Sequence, residues 1–193
     1  MLGGMTAEMY VPAFYLTQRI ALTTNRFELH VANPDGSSGA RLGLAEQKRL
    51  AFREEVTFYA DESRSRPVFG FKARKVIDLG SGYDVRDEHG RQLGFFRKEF
   101  GASLLRSTFR VEGPGFSGAG QERNQVVALL RRFTDIPFLP VHFDFTSAEG
   151  APLMSVERQM SVRDRYTVHV PDHRVDFRVA AAMAVGLDVL MSR

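Results

Sequence analysis

The sequence predicts a mainly β fold: a closed antiparallel β-barrel around a buried hydrophobic C-terminal α-helix, plus one short outer helix. Two observations predict it. The first is the final stretch VDFRVAAAMAVGLDVLMSR, in which Val179 to Leu187 are nine consecutive residues without a polar side chain. As a helix these rise only ~14 Å, about half a bilayer core. A helix lying on a surface needs a polar face, and this one has none. It is therefore expected inside protein, where its four alanines and Gly186 let the surrounding backbone come close.

The second observation is a weak internal repeat. Leu29, Tyr83 and Phe143 each precede a glycine (Gly36, Gly90, Gly150) by seven residues. Leu93 and Leu153 follow the second and third glycines at plus three, and the first copy reaches Leu42 after a three-residue insertion. Each unit reads as strand, acidic turn with glycine at positive φ, strand. Three such hairpins along one chain predict a meander or a closed barrel, and a barrel filled by one apolar helix accommodates both observations.

In chain order, residues 1–13 are expected as a flexible leader, with Met5 or Met9 as alternative starts, and residues 14–193 as one domain. Period-two alternation predicts strands at FELHV (27–31), VFGFKARKVI (68–77), SLLRSTFRV (103–111), VHFDFT (141–146) and RYTVHV (165–170). NPDGSSG (33–39), DEHG (87–90), GPGFSGAG (113–120) and SAEG (147–150) read as the turns and connections between them. Glu122 to Phe133 has helical spacing, with Val126, Leu130 and Phe133 on one face, and is the outer helix.

Composition narrows the function classes. A length of 193 residues suits one well-buried core. A net charge of +3 is far from the strongly basic balance of a dedicated nucleic-acid binder, so no nucleic-acid partner is expected. With no cysteine there is no disulfide framework and no thiolate chemistry, which suits a reducing, cytoplasmic setting. The beginning lacks a secretory signal pattern, and no run is long enough for a transmembrane helix. The 26 basic residues comprise 22 arginines and four lysines, as a GC-rich bacterial genome would encode.

The segments FELHV…PDG…LGLAEQK (27–48), YDVRDEHGRQLGFFRK (83–98), FDFTSAEGAPLMSVERQ (143–159) and DRYTVHVPDHRVDFRVAAAMAVGLDVL (164–190) carry a resemblance. Together they resemble the tubby C-terminal-like superfamily, in its LURP-one-related and phospholipid-scramblase-like branch. The resemblance covers most of residues 15–193 and implies about twelve strands closed around the terminal helix. It also implies a non-enzymatic protein without a cofactor, peripheral to a membrane, binding anionic phospholipid headgroups of the phosphoinositide kind. A protein-interaction scaffold and scramblase-like lipid transport are the alternatives. Transport is disfavoured, because moving lipid needs a path through the bilayer.

Motifs of enzyme chemistry give little. Gly113-Pro-Gly115-Phe-Ser-Gly118 is a literal GxGxxG, but helical spacing starts only near Glu122 and no βαβ alternation surrounds it. His169 and His173 are four apart, with Pro171 between them breaking any helix. His142 and Asp144 share a strand face, an arrangement more common as polar decoration than as chemistry. Asp84, Asp87, Glu88 and Gly90 approach a calcium loop, but Arg86 and His89 interrupt the acidic set. No catalytic residue, metal ligand or cofactor is assigned.

Basic residues on strand faces are the better site. With Phe69, Phe71 and Ala73 facing inward, Lys72 and Arg74 point outward together. Leu105, Ser107 and Phe109 inward put Arg106 and Arg110 outward, and Arg97 and Lys98 follow the second hairpin. Tubby proteins hold a phosphoinositide headgroup partly through a Lys-x-Arg on a strand, to which Lys72-Ala73-Arg74 is similar. The expected headgroup-binding set is Lys72, Arg74, Arg97, Lys98, Arg106 and Arg110, and the competing reading is a solvated outer face, salt-bridged to Asp61, Glu62 or Glu99. Phe95 and Phe96 are adjacent, so one of them is expected to point outward. Ile136 to Val141, IPFLPV, reads as an apolar cap to one barrel end.

Overall fold

A computed structural model of the chain describes residues 9–20, 24–48, 55–74, 82–99, 108–123, 142–159 and 165–191. Twelve strands run in chain order: β1 (Ala13–Ile20), β2 (Thr24–Ala32), β3 (Ser38–Lys48), β4 (Glu55–Tyr59), β5 (Pro67–Ala73) and β6 (Tyr83–Asp87). They continue as β7 (Gln92–Glu99), β8 (Thr108–Gly113), β9 (Phe116–Glu122), β10 (His142–Thr146), β11 (Pro152–Gln159) and β12 (Arg165–His169). Each pairs antiparallel with its sequence neighbours, and β1 pairs with β12, so the sheet closes with no free edge. The helix α1, Phe177–Met191, fills the interior. The outer helix expected from Glu122 to Phe133 and the IPFLPV cap lie outside the described residues, apart from Glu122 and Arg123; Glu122 is the last residue of β9.

The three repeat units are hairpins β2–β3, β6–β7 and β10–β11. Their turns share one geometry: Gly36 N–H donates to Asn33 O, Gly90 to Asp87 O and Gly150 to Ser147 O, at 2.9, 3.0 and 3.0 Å. The glycines have φ of 81°, 80° and 82°, the left-handed region that a side chain penalises. The repeat leucines have a structural meaning as well. Register slips by one residue between Val85 and Arg86 and between Phe145 and Thr146, so Leu93 and Leu153 are the extra residues of β-bulges. Leu42 takes that place in the first hairpin, where Leu29 pairs with Gly43 and His30 with Arg41.

GPGFSGAG is not a loose connection. Gly113 ends β8, Pro114 and Gly115 make the turn, and Phe116 already pairs back with Gly113. Gly118 and Gly120 are strand residues: a Cβ on either would meet Leu153 or the Phe145 ring at 2.4 and 2.3 Å. Three further strands, β1, β4 and β9, lie where neither the alternation nor the repeat had shown one.

The core places large wall residues against a narrow helix. Phe14, Phe58, Phe69, Phe71, Phe96, Phe109, Phe143 and Phe145 point inward and are buried, while the helix offers Ala180, Ala181, Ala182, Ala184 and Gly186. Phe58 stacks on Phe69 with centroids 4.1 Å apart, and Tyr83 on Phe96 at 5.0 Å. Val179, Ala182 and Val185 have no exposed surface, and Gly186 is buried with them. Alanine-rich sequence favours the helix itself, and its first-turn amides are all satisfied. Asp176 caps Arg178 N–H at 2.8 Å, and its carbonyl accepts from Val179 and Ala180. Phe177 N–H donates to Met9 O. Of the stretch expected as a leader, residues 9–13 are described, and Met9, Tyr10 and Pro12 are all hydrogen-bonded to the residues around the helix start.

Candidate functional site

Period-two geometry places one continuous outer face across β5 to β8. Phe69 and Phe71 are buried, so Lys72 points out, and Arg74 follows at the end of β5. Asp84 lies beside Lys72 in register, Phe95 beside Asp84 and Glu112 beside Phe95. Arg97 lies directly opposite Arg110. Like charges so placed repel unless shared by an anion. Glu99 supplies one: Oε1 is 3.2 Å from Arg97 Nη2 and 3.0 Å from Arg110 Nε.

A second carboxylate organises the other side. Asp84 Oδ1 accepts from Arg74 Nη2 at 2.7 Å and Nε at 2.9 Å, and Oδ2 from Arg86 Nη2 at 3.3 Å. The guanidinium of Arg74 then lies 4.0 Å over the ring of Phe95. Between these groups is an open groove of about 550 Å³ lined by Arg74, Gln92, Phe95, Arg97, Glu112 and Pro114. The lining combines two arginines, each paired to a carboxylate, with an amide, the Phe95 ring and the Glu112 carboxylate.

The expected residues divide as follows. Arg74 and Arg97 line this groove, and Arg110 adjoins it through Glu99. Lys72 is outward and half exposed, ion-paired to Glu55 at 2.8 Å, and borders a neighbouring hollow of about 250 Å³ formed where Gly70 has no side chain. Lys98 is on the other face of β7: it pairs in register with Phe109, and its Nζ lies 5.9 Å from that ring. Arg106 lies outside the described residues. Gln92, Arg86 and Asp84 were not anticipated, although strand alternation from Val85 would have placed Asp84 and Arg86 outward. Of the adjacent phenylalanines, Phe96 is buried, and Phe95 points outward beneath Arg74.

Other sequence candidates resolve differently. The Asp87 carboxylate is committed to its own hairpin: Oδ1 accepts His89 and Arg91 N–H and Oδ2 accepts Arg91 Nε. Burial alone would raise its pKa, but these donors outweigh it and hold the group below the usual carboxylate range. His142 and Asp144 do share a face, 3.5 Å apart, with Arg123 making two 2.7 Å bonds to the carboxylate. Those bonds hold Asp144 below its ordinary value. Among the described residues, no group of three His, Asp or Glu is placed to hold a metal ion.

No curated protein matches the chain. The comparison with protein families does: residues 44–188 match the LURP-one-related family. That span runs from β3 through almost all of α1 and includes every residue of the groove. The match spans most of a closed twelve-stranded barrel and its buried terminal helix, and the chain belongs to the LURP-one-related family, which is related to the tubby-like superfamily.

Proposed function

We propose that this chain is a non-enzymatic, peripheral module that binds anionic phospholipid headgroups of the phosphoinositide kind through the outer face of β5 to β8. The observation that supports this reading is the groove lined by both Arg74 and Arg97, with the Arg74 guanidinium over the ring of Phe95. Arginine forks suit phosphate oxygens, and both guanidinia are partly exposed, at 44% and 42% of the side chain. Lys72, Arg86 and Arg110 extend the cationic face around it. Each basic residue near an anionic surface contributes about 1 kcal/mol, so the expected attachment is reversible. No helix among the described residues is long and apolar enough to cross a membrane.

Co-sedimentation with vesicles tests the reading. Binding to phosphatidylcholine vesicles doped with a phosphoinositide, weakened by physiological salt and absent with pure phosphatidylcholine, is the expected result. Equal indifference to both vesicle types overturns it and makes a protein partner the better search.

A further inference from the structure

Five cations on one face of a barrel do not by themselves make a receptor, because long side chains in water sample many directions. What distinguishes this face is the carboxylate between them. Asp84, only 17% exposed, accepts two bonds from Arg74, one from Arg86 and a 3.4 Å contact from Gln92 Nε2. Arg74 and Gln92 both line the groove. The two bonds engage Nε and Nη2 of Arg74, whose guanidinium carbon lies 4.0 Å over the Phe95 ring.

We propose that Asp84 is a positioning residue of this groove. It holds Arg74 over Phe95 and contacts Gln92 beside it, so that a headgroup meets oriented donors rather than loose positive charge. The inference rests on the headgroup reading above and adds to it that geometry, not net charge, governs affinity.

Charge and geometry make opposite predictions for Asp84→Asn. The substitution removes a negative charge beside two arginines, so on electrostatics alone binding to an anionic vesicle tightens about fivefold. If Asp84 positions Arg74, binding weakens severalfold although the protein is more positive, because a neutral amide oxygen holds the guanidinium more weakly than a carboxylate and its NH2 group cannot accept from Arg86. Arg74→Lys is the second arm. It keeps the charge but loses the planar fork and its stacking on Phe95, and it too is expected to weaken binding. Asp84→Glu, which keeps an acceptor within reach, is expected to recover part of the loss.

The measurement is co-sedimentation with phosphatidylcholine vesicles carrying a phosphoinositide or, at matched surface charge, phosphatidylserine. The expected result is that the wild type prefers the phosphoinositide vesicles and that Asp84→Asn and Arg74→Lys both lose that preference. If the wild type binds while both variants bind as well or more tightly, the positioning role is wrong and the headgroup reading stands. If the wild type binds neither vesicle, the headgroup reading itself fails and this inference falls with it. Should Asp84→Asn not fold by circular dichroism, Arg74→Lys alone decides: undiminished preference overturns the proposal.

Discussion

Arg178 and Asp176 form a two-bond ion pair at the mouth of the barrel, Nε to Oδ1 at 3.0 Å and Nη2 to Oδ2 at 2.6 Å, with the arginine side chain 1% exposed and the aspartate 7%. Among the described residues, Arg178 Nη1 has no hydrogen-bond partner. Asp176 does more than balance the charge, because it also caps the helix and accepts from Met9 N–H. The two residues are therefore unequal. Asp176→Ala strands a buried guanidinium and uncaps the helix, a loss of about 3–5 kcal/mol. Arg178→Met leaves Asp176 bonded to two backbone amides and is expected to cost about 1–3 kcal/mol. Urea unfolding of both variants checks the order, and a larger loss for Arg178→Met contradicts it.

Gly186 reverses a general rule. Alanine in place of glycine inside an exposed helix stabilises by about 1 kcal/mol. Here a Cβ at Gly186 would lie 2.7 Å from the ring of Phe96. Gly186→Ala is expected to destabilise by about 1–3 kcal/mol, and Phe96→Leu in the same chain to return part of it. Thermal melts of the single and double variants read both. A stabilised Gly186→Ala means that the helix does not pack against β7 as described.

Turn glycines give a cleaner test, because sterics are absent from it. Nothing lies within 4 Å of a Cβ built on Gly90, whose φ is 80°. Gly90→Ala then costs only conformational strain, about 1–2 kcal/mol, and Gly90→Asn less. Equal stability of the two variants by denaturant unfolding goes against this account of the hairpin.

Acid stability has an identifiable contributor just before the helix. Arg174 donates to Asp172, Nη2 to Oδ2 at 2.6 Å, and lowers its pKa from 3.8 to about 2. A carboxyl whose folded pKa is depressed stabilises the fold fully above the unfolded value. That contribution is lost as pH falls from near 4 through about 2. Because Arg174 is about half exposed, the contribution is about 1 kcal/mol after screening. The gap in unfolding free energy between wild type and Asp172→Asn should be present at pH 6 and shrink towards pH 2. A pH-independent gap excludes the linkage.

Local chemistry explains which parts of the fold were legible in the sequence. The three hairpin turns each need an acidic, glycine-bearing tetrapeptide, so Gly36, Gly90 and Gly150 announced them, and unbroken apolarity announced the helix. Strand β9 was hidden because Gly118 and Gly120 are required by the tertiary approach of Leu153 and Phe145, which no local pattern reveals. Lys72 and Arg74 were readable from the alternation of Phe69 and Phe71. Lys98 was misleading, because adjacency to Arg97 puts it on the opposite face, beside Phe109. Glu99 was among the carboxylates expected to pair with this basic face, and it does pair with Arg97 and Arg110; that Asp84 joins Arg74 and Arg86 shows only once the strands are in register.

In the proposed function, one wall of the barrel, and not the protein's charge as a whole, recognises anionic headgroups. Vesicle binding by two double variants of equal net charge tests it most directly. Arg74→Glu/Arg97→Glu strikes the groove; Arg19→Glu/Arg26→Glu changes the outer side of β1 and β2, where these arginines pair with Glu28 and Glu46. The groove variant is expected to lose binding to phosphoinositide vesicles while the other retains most of it. Equal losses in the two folded variants would contradict a localised site and leave only diffuse attraction.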